Sequence, residues 1–140
     1  MANTKRLAVE SDLNQHLENA RKAAVLGIPH GISMRAFTRV WNTRFSPEVL
    51  DDLVIPHRTF MRRKQKREDL NAIETDKALR LARITLHADQ VFHGRERADA
   101  WLGTPNSKFS GQTPFSLLKS EVGCRLVDET LYQIEHGIYT

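Results

Sequence analysis

Helix-boundary residues recur along this chain at spacings that suit short helices and little else. Ser46-Pro47-Glu48 sets a hydroxyl cap, a proline at the first helical position and an acid at the positive end of the helix dipole in three consecutive residues. Thr113-Pro114 repeats the cap and proline ahead of Phe115, Leu117 and Leu118. Asn71-Ala72-Ile73-Glu74 is a capping box, in which the first and fourth side chains satisfy each other's backbone N–H. Between these signals the apolar residues recur at three- and four-residue intervals. No segment alternates with period two for long enough to make a strand. The expected fold class is all-α.

The pattern divides the chain into segments. Residues 1–10 show no periodicity and are expected to be a flexible arm. Asp12 and Gln15 resemble a capping pair ahead of Leu13, Leu17, Ala20 and Ala24, which share a helical face. Gly27 to Gly31, with Pro29 inside, breaks that helix. Ser33 then caps a helix carrying Met34, Phe37, Trp41 and Phe45 on one stripe, and Pro47 opens the next, with Val49, Leu50 and Leu53 facing inward. The helix opened by Asn71 carries Leu79, Ala82 and Leu86, then Ile84, Ala88 and Val91, and ends at Gly94. A last helix offers Val127, Leu131 and Ile134, with Gly137 placed to cap its carboxyl end. Residues 11–70 read as one domain and 71–140 as a second, the long helix from Asn71 linking them.

Several function classes lose support at this stage. No apolar run approaches the ~20 residues needed to span a bilayer, and the N-terminus lacks a hydrophobic signal core, so a cytoplasmic protein is expected. The lone Cys124 cannot form an internal disulfide and reads as a small buried residue. His16, His30, His57, His87, His93 and His136 form no His-Glu-x-x-His motif; His87 and His93, six apart, fall on opposite sides of a helix. The seven glycines are scattered singly, leaving no phosphate loop, and no serine sits in a nucleophile elbow. No catalytic residue, metal or cofactor is expected.

Charge is distributed unevenly. Of the formal net charge of +4, residues 1–70 hold 13 Lys/Arg against 8 Asp/Glu, a balance of +5, while residues 71–140 hold 8 against 9, a balance of −1. A polyanion partner is therefore sought in the first half and a protein partner in the second. Within the first half, a short helix over Pro47–Leu53, a tight turn and a second helix over roughly His57–Gln65 match a helix-turn-helix arrangement. Phe60, with Val49 and Leu53, would hold the pair together, and Pro56 is expected at the first position of the second helix. His57, Arg58, Arg62, Arg63 and Lys64 are the candidate DNA contacts, since a guanidinium fork matches both phosphate oxygens and guanine edges. The plainer reading of the same run is a solvated basic face. Specific binding by so small a module requires a homodimer reading an inverted repeat with half-sites about 34 Å apart.

The last third of the chain carries a longer ordered pattern: Trp101-Leu102, Pro105-Asn106, Gly111-x-x-Pro114-x-x-Leu117-Leu118, Gly123 and Ile134-x-x-Gly137. In this it resembles the C-terminal toxin-binding domain of the Xre/MbcA/ParS antitoxin family. The resemblance implies an Xre-like DNA-binding domain ahead of it. It also implies a RES-type toxin as partner, one that consumes NAD or transfers ADP-ribose from it, inhibited by occlusion of its active site. Trp101, Pro114, Gly137, Ile138, Tyr139 and Thr140 are carried over as toxin contacts. Trp101, Leu102, Leu117, Leu118, Val127 and Leu131 must also serve the core, and Gly123 is expected to permit a tight turn. Tyr139 has the apolar ring and polar tip of an interface anchor, and the Thr140 carboxylate is placed to reach basic groups in an NAD pocket.

Two readings of function stand. One is an antitoxin that neutralises such a toxin and represses its own operon within a hetero-oligomeric complex. The other is a stand-alone helix-turn-helix transcriptional regulator whose C-terminal helices serve dimerisation. A hydrolase or transferase is a third, weaker class.

Overall fold

The computed structural model describes residues 2–138, with side chains from Thr4 onward. All its regular structure is helical: α1 (Ala2–Leu26), α2 (Met34–Ala36), a π-helical turn (Phe37–Trp41), α3 (Asn42–Arg44), α4 (Pro47–Leu53), α5 (His57–Lys66), α6 (Ala72–Phe92), α7 (Arg95–Leu102), a 3-10 turn (Ser107–Phe109), α8 (Pro114–Leu117) and α9 (Glu121–Glu135). The described residues contain no strand. No helix among them is long and apolar enough to cross a membrane. Two compact units divide the chain between Ala82 and Arg83, inside α6.

In the first unit α1 begins at Ala2, so the segment expected as an irregular arm is the helix's opening turns. Val9 is buried there and Arg6 pairs with Glu10 one turn on. Asp12 and Gln15 accordingly lie inside the helix and cap nothing; Gln15 instead bonds Asn19. The buried positions Val9, Leu13 and Ala23 continue a stripe that leaves Ala24 exposed, the reverse of the expected inward face at that end. Gly27, at φ +66°, terminates α1 by a left-handed turn whose following N–H, that of Ile28, bonds Ala23.

Ser33 caps the next helical stretch by accepting from the Ala36 N–H, and Met34, Phe37, Trp41 and Phe45 are all buried as their spacing predicts. The π-helical turn has no counterpart in the sequence pattern. Its widened ladder is marked by the Asn42 N–H donating to the Phe37 carbonyl, and Phe37, Val40, Trp41 and Arg44, at ordinary helical spacing, are all buried. Phe37 and Trp41 stack at 6.0 Å, and the indole N–H donates to the Ala78 carbonyl at 3.0 Å. That bond, with Thr75 Oγ1 accepting from Ile32 N–H, ties the first half of α6 to this unit. The division into units therefore falls beyond residue 71, where the capping box sits. The box itself forms in full: Asn71 N–H donates to Glu74, and Glu74 N–H to Asn71, at 2.9 and 2.8 Å. Ala78, Leu81, Ala82, Ile84 and Ala88 are buried on one face, while Leu79 and Leu86 are only half-buried because helix phase turns them to its flank.

In the second unit His93 and Gly94 close α6, with the Gly94 N–H bonded to Asp89. Thr113 caps α8 and Ser120 caps α9, each hydroxyl accepting from the third residue on. Leu102, Leu118, Val127, Leu131 and Cys124 form the core. Gly123 lies within α9, where a Cβ would stand 1.7 Å from the Leu117 carbonyl oxygen. Its place in the sequence is thus explained by helix-to-helix approach and not by a turn.

Candidate functional site

Two surfaces concentrate side chains that the core does not use. The first is α5. Ser46 caps α4, whose seven residues end in a short turn before the ten residues of α5. Pro56 is the residue preceding α5 rather than its first, and its side chain offers no cap. The missing cap is supplied from α4: Asp51 Oδ1 accepts the His57 N–H at 2.6 Å, fixing the angle at which the second helix leaves the first. Phe60 packs on Phe37 at 5.8 Å and seats the inner side of α5.

Positions 58, 61, 62 and 65 then share the outer side, where Arg58, Met61, Arg62, Lys64 and Gln65 border an open depression of about 520 Å³. Arg58, Arg62 and Lys64 are exposed, the Lys64 ammonium lying over the Phe60 ring, 5.8 Å from its centroid. His57 is exposed at the helix start, tilted against Phe60. Arg63 points elsewhere. Its guanidinium pairs with Glu74 at 3.1 Å and Glu68 at 3.3 Å, and its side chain is 17 % exposed. Sequence reasoning counted Arg63 among the basic contacts because it sees a run of charges; helix phase sets this residue roughly 100° round from Arg62, against Glu74 and Glu68.

The second surface belongs to α9 and the end of α6. The inner positions of α9 are Gly123, Cys124, Val127, Thr130 and Leu131. The outer ones include Val122, Leu126 and Tyr132, which are 66, 44 and 54 % exposed, and Ile138 beyond the helix is 59 % exposed. Asp128 joins α9 to α6, accepting from Arg83 Nη1 at 2.6 Å while His87 Nδ1 lies 3.2 Å away. Tyr132 stacks on His136 with ring centroids 4.0 Å apart. Together His87, Asp128, Glu129, Tyr132, Gln133 and Ile138 line a shallow, mostly apolar hollow of about 490 Å³.

The residues predicted from the terminal pattern are dispersed over this unit. Trp101 is half-buried against Phe92, at 5.5 Å. Pro114 is buried at the first position of α8. Gly137, at φ +69°, caps α9: its own N–H reaches Ile134, and the Ile138 N–H reaches Gln133 at 2.9 Å. Only Gly137 and Ile138 of these four are exposed, and Ile138 alone reaches the hollow. Tyr139 and Thr140 lie outside the described residues. Tyr132, Leu126 and Val122 were missed. The available signal was large apolar residues off the core stripe of an amphipathic helix, which a search for core positions passes over. No group of three or more metal-binding side chains forms among the described residues.

What this chain offers are helical surfaces, one basic and one apolar with acids beside it, and that defines the class: an all-helical binding protein. Residues 87–137 match the antitoxin Xre/MbcA/ParS C-terminal toxin-binding domain. Over 90 % of its length the chain is 32 % identical to an Antitoxin Xre of Pseudomonas putida, covering 87 % of that protein. It is 28 % identical to an Antitoxin Xre of Yersinia enterocolitica over 72 % of the chain and 69 % of the relative. A third Antitoxin Xre, from Photorhabdus laumondii, is 30 % identical over 70 % of the chain and 67 % of the relative. The chain belongs to the Xre antitoxin family.

Proposed function

We propose that this antitoxin neutralises a RES-type toxin, one that consumes NAD or transfers ADP-ribose from it, by covering the toxin's active site, and that it performs no chemistry of its own. The observation that carries the reading is the coincidence of the toxin-binding domain match, residues 87–137, with a helical unit whose last helix leaves large apolar side chains in solvent. Exposed Ile138 at the edge of the hollow supports Gly137 to Thr140 as the segment that enters the toxin's mouth. Trp101, half-buried, serves the contact by holding α7 and the end of α6 together. Co-expression with a RES-type toxin tests the proposal. Growth rescue and co-purification are expected, and deletion of Ile138–Thr140 is expected to abolish rescue. Undiminished rescue by the deleted chain would remove the tail from the mechanism.

The same antitoxin, on this reading, is a homodimer that represses its own operon in the cytoplasm. Residues 11–70 act as a helix-turn-helix domain with α5 as the recognition helix, and Arg58 and Arg62 point away from Phe60 as such a role requires. His57 and Lys64 flank them as phosphate contacts. Binding to an inverted repeat upstream of the operon, measured as a gel-shift against salt, tests this. A salt-insensitive affinity would count against it, because each neutralised phosphate contributes a log–log slope of roughly −0.9.

A further inference from the structure

A basic face that only meets phosphate needs cations and nothing else. The outer side of α5 holds more than that. Arg58, Met61, Arg62 and Gln65 follow the i, i+3, i+4, i+7 spacing that places side chains within about 100° of one another on a helix. All four are exposed and border the open depression, on the side away from Phe60. None of the ten residues of α5 is an acid, and the arginine committed to carboxylates, Arg63, meets Glu74 and Glu68 instead.

Two members of this face have no electrostatic purpose. Met61 is a large apolar side chain amid polar ones, and at 50 % exposure burial in the core does not account for it. Gln65 is neutral and brings a donor and an acceptor on one planar amide. Those are the groups that read base edges. An amide pairs with adenine N6 and N7, a guanidinium with guanine O6 and N7, and an apolar side chain rests on the thymine methyl. From Arg58 to Gln65 the helix advances about 10 Å, the length of roughly three base-pair steps.

We infer that Met61 and Gln65 set the sequence this protein selects, Gln65 against an adenine and Met61 against a thymine methyl, with Arg58 and Arg62 on guanines beside them. This rests on the reading of α5 as the recognition helix. Lys64 lies off the face, over the Phe60 ring, and contributes charge without choice of base.

The test is selection of binding sites from a randomised duplex pool by the full-length protein, followed by affinities on the selected site. Gln65→Arg is expected to exchange adenine for guanine at one position of each half-site, a gain that misfolding does not imitate. Gln65→Ala is expected to lose about 10-fold of discrimination at that position. Replacing the contacted thymine by uracil removes one methyl and is expected to weaken the parent about 4-fold, while Met61→Ala binds both duplexes equally. Lys64→Gln is the control: weaker on every sequence, shallower in its salt dependence, unchanged in its selected site. If the parent selects a site but Gln65→Arg selects the same one, or no thymine methyl in it matters, the inference is overturned and the DNA-binding reading stands. A Met61→Ala variant that keeps the parent's uracil penalty overturns it equally. A parent that binds every duplex alike, or none, would defeat the inference and the reading of α5 together.

Discussion

Gly123 owes its place to a distance. With hydrogen in place of a side chain, Gly123 lets α9 start directly under the Leu117 carbonyl; an added methyl would stand 1.7 Å from that oxygen, a backbone atom with no rotamer to yield. Gly123→Ala is therefore expected to destabilise the protein by about 3 kcal/mol, read from urea midpoints, through displacement of α8 from α9. Gly31→Ala, where nothing lies within 4 Å and φ is ordinary, is the matched control and is expected to be near neutral. His16 makes a different prediction. Burial lowers its pKa below the ordinary 6.5; neighbouring His30 and Arg39 push the same way and Asp12 opposes them. The ring meets the Trp41 indole edge-on at 5.2 Å, so protonation must bring a charge against the core. A folded pKa below the unfolded one means the unfolded chain binds more protons, so stability is complete above about pH 6.5 and falls as pH drops toward the folded value. In His16→Gln the loss between pH 7.5 and 5 is expected to be smaller; an identical loss would place the titration elsewhere.

At the scale of elements, the pairing of α5 with α6 shows what a sequence can and cannot disclose. The Asn71–Glu74 box was legible because both partners lie within one turn, and so were the Ser46-Pro47 and Thr113-Pro114 starts. The same Glu74 also receives Arg63 from eleven residues back, and no local pattern announces that bond. It depends on how α5 packs, which Phe60 on Phe37 decides. The half of α6 that binds Trp41 and the inward rotation of Arg63 were hidden for the same reason: each is fixed by a residue distant in the chain. The outer face of α9 was hidden differently, since Leu126 and Tyr132 have the composition of core positions and only the helix phase sets them outside. From the pairing follows an expectation. Arg63→Ala should cost about 2 kcal/mol in stability, because Glu74 loses its cation while keeping the Asn71 N–H. The folded variant should hold operator DNA as the parent does, in contrast to Arg58→Ala, which removes an exposed fork; equal losses from the two would put Arg63 back on the DNA.

At the scale of the molecule, opposite surface chemistry lies in the two units, and the charge balance follows it: 15 Lys/Arg against 10 Asp/Glu over residues 1–82, a balance of +5, and 6 against 7 over residues 83–140, a balance of −1. On the proposed function, the cations of α5 would hold a phosphate backbone and the apolar area of the second unit would meet a folded partner. The two activities are therefore expected to separate cleanly in the full-length protein. Arg58→Ala with Arg62→Ala should reduce operator affinity by about 100-fold or more, at roughly 1–3 kcal/mol for each guanidinium withdrawn from a base edge, while toxin-challenged cells still grow. Leu126→Arg should do the reverse, binding DNA at the parent's strength without rescuing growth. Raising salt should also distinguish them, since release of counterions from DNA steepens the first affinity while apolar burial buffers the second. If either double or single variant abolished both activities in a protein that melts like its parent, DNA and toxin would be reading one surface instead of two, and the assignment of α5 to nucleic acid would have to be withdrawn.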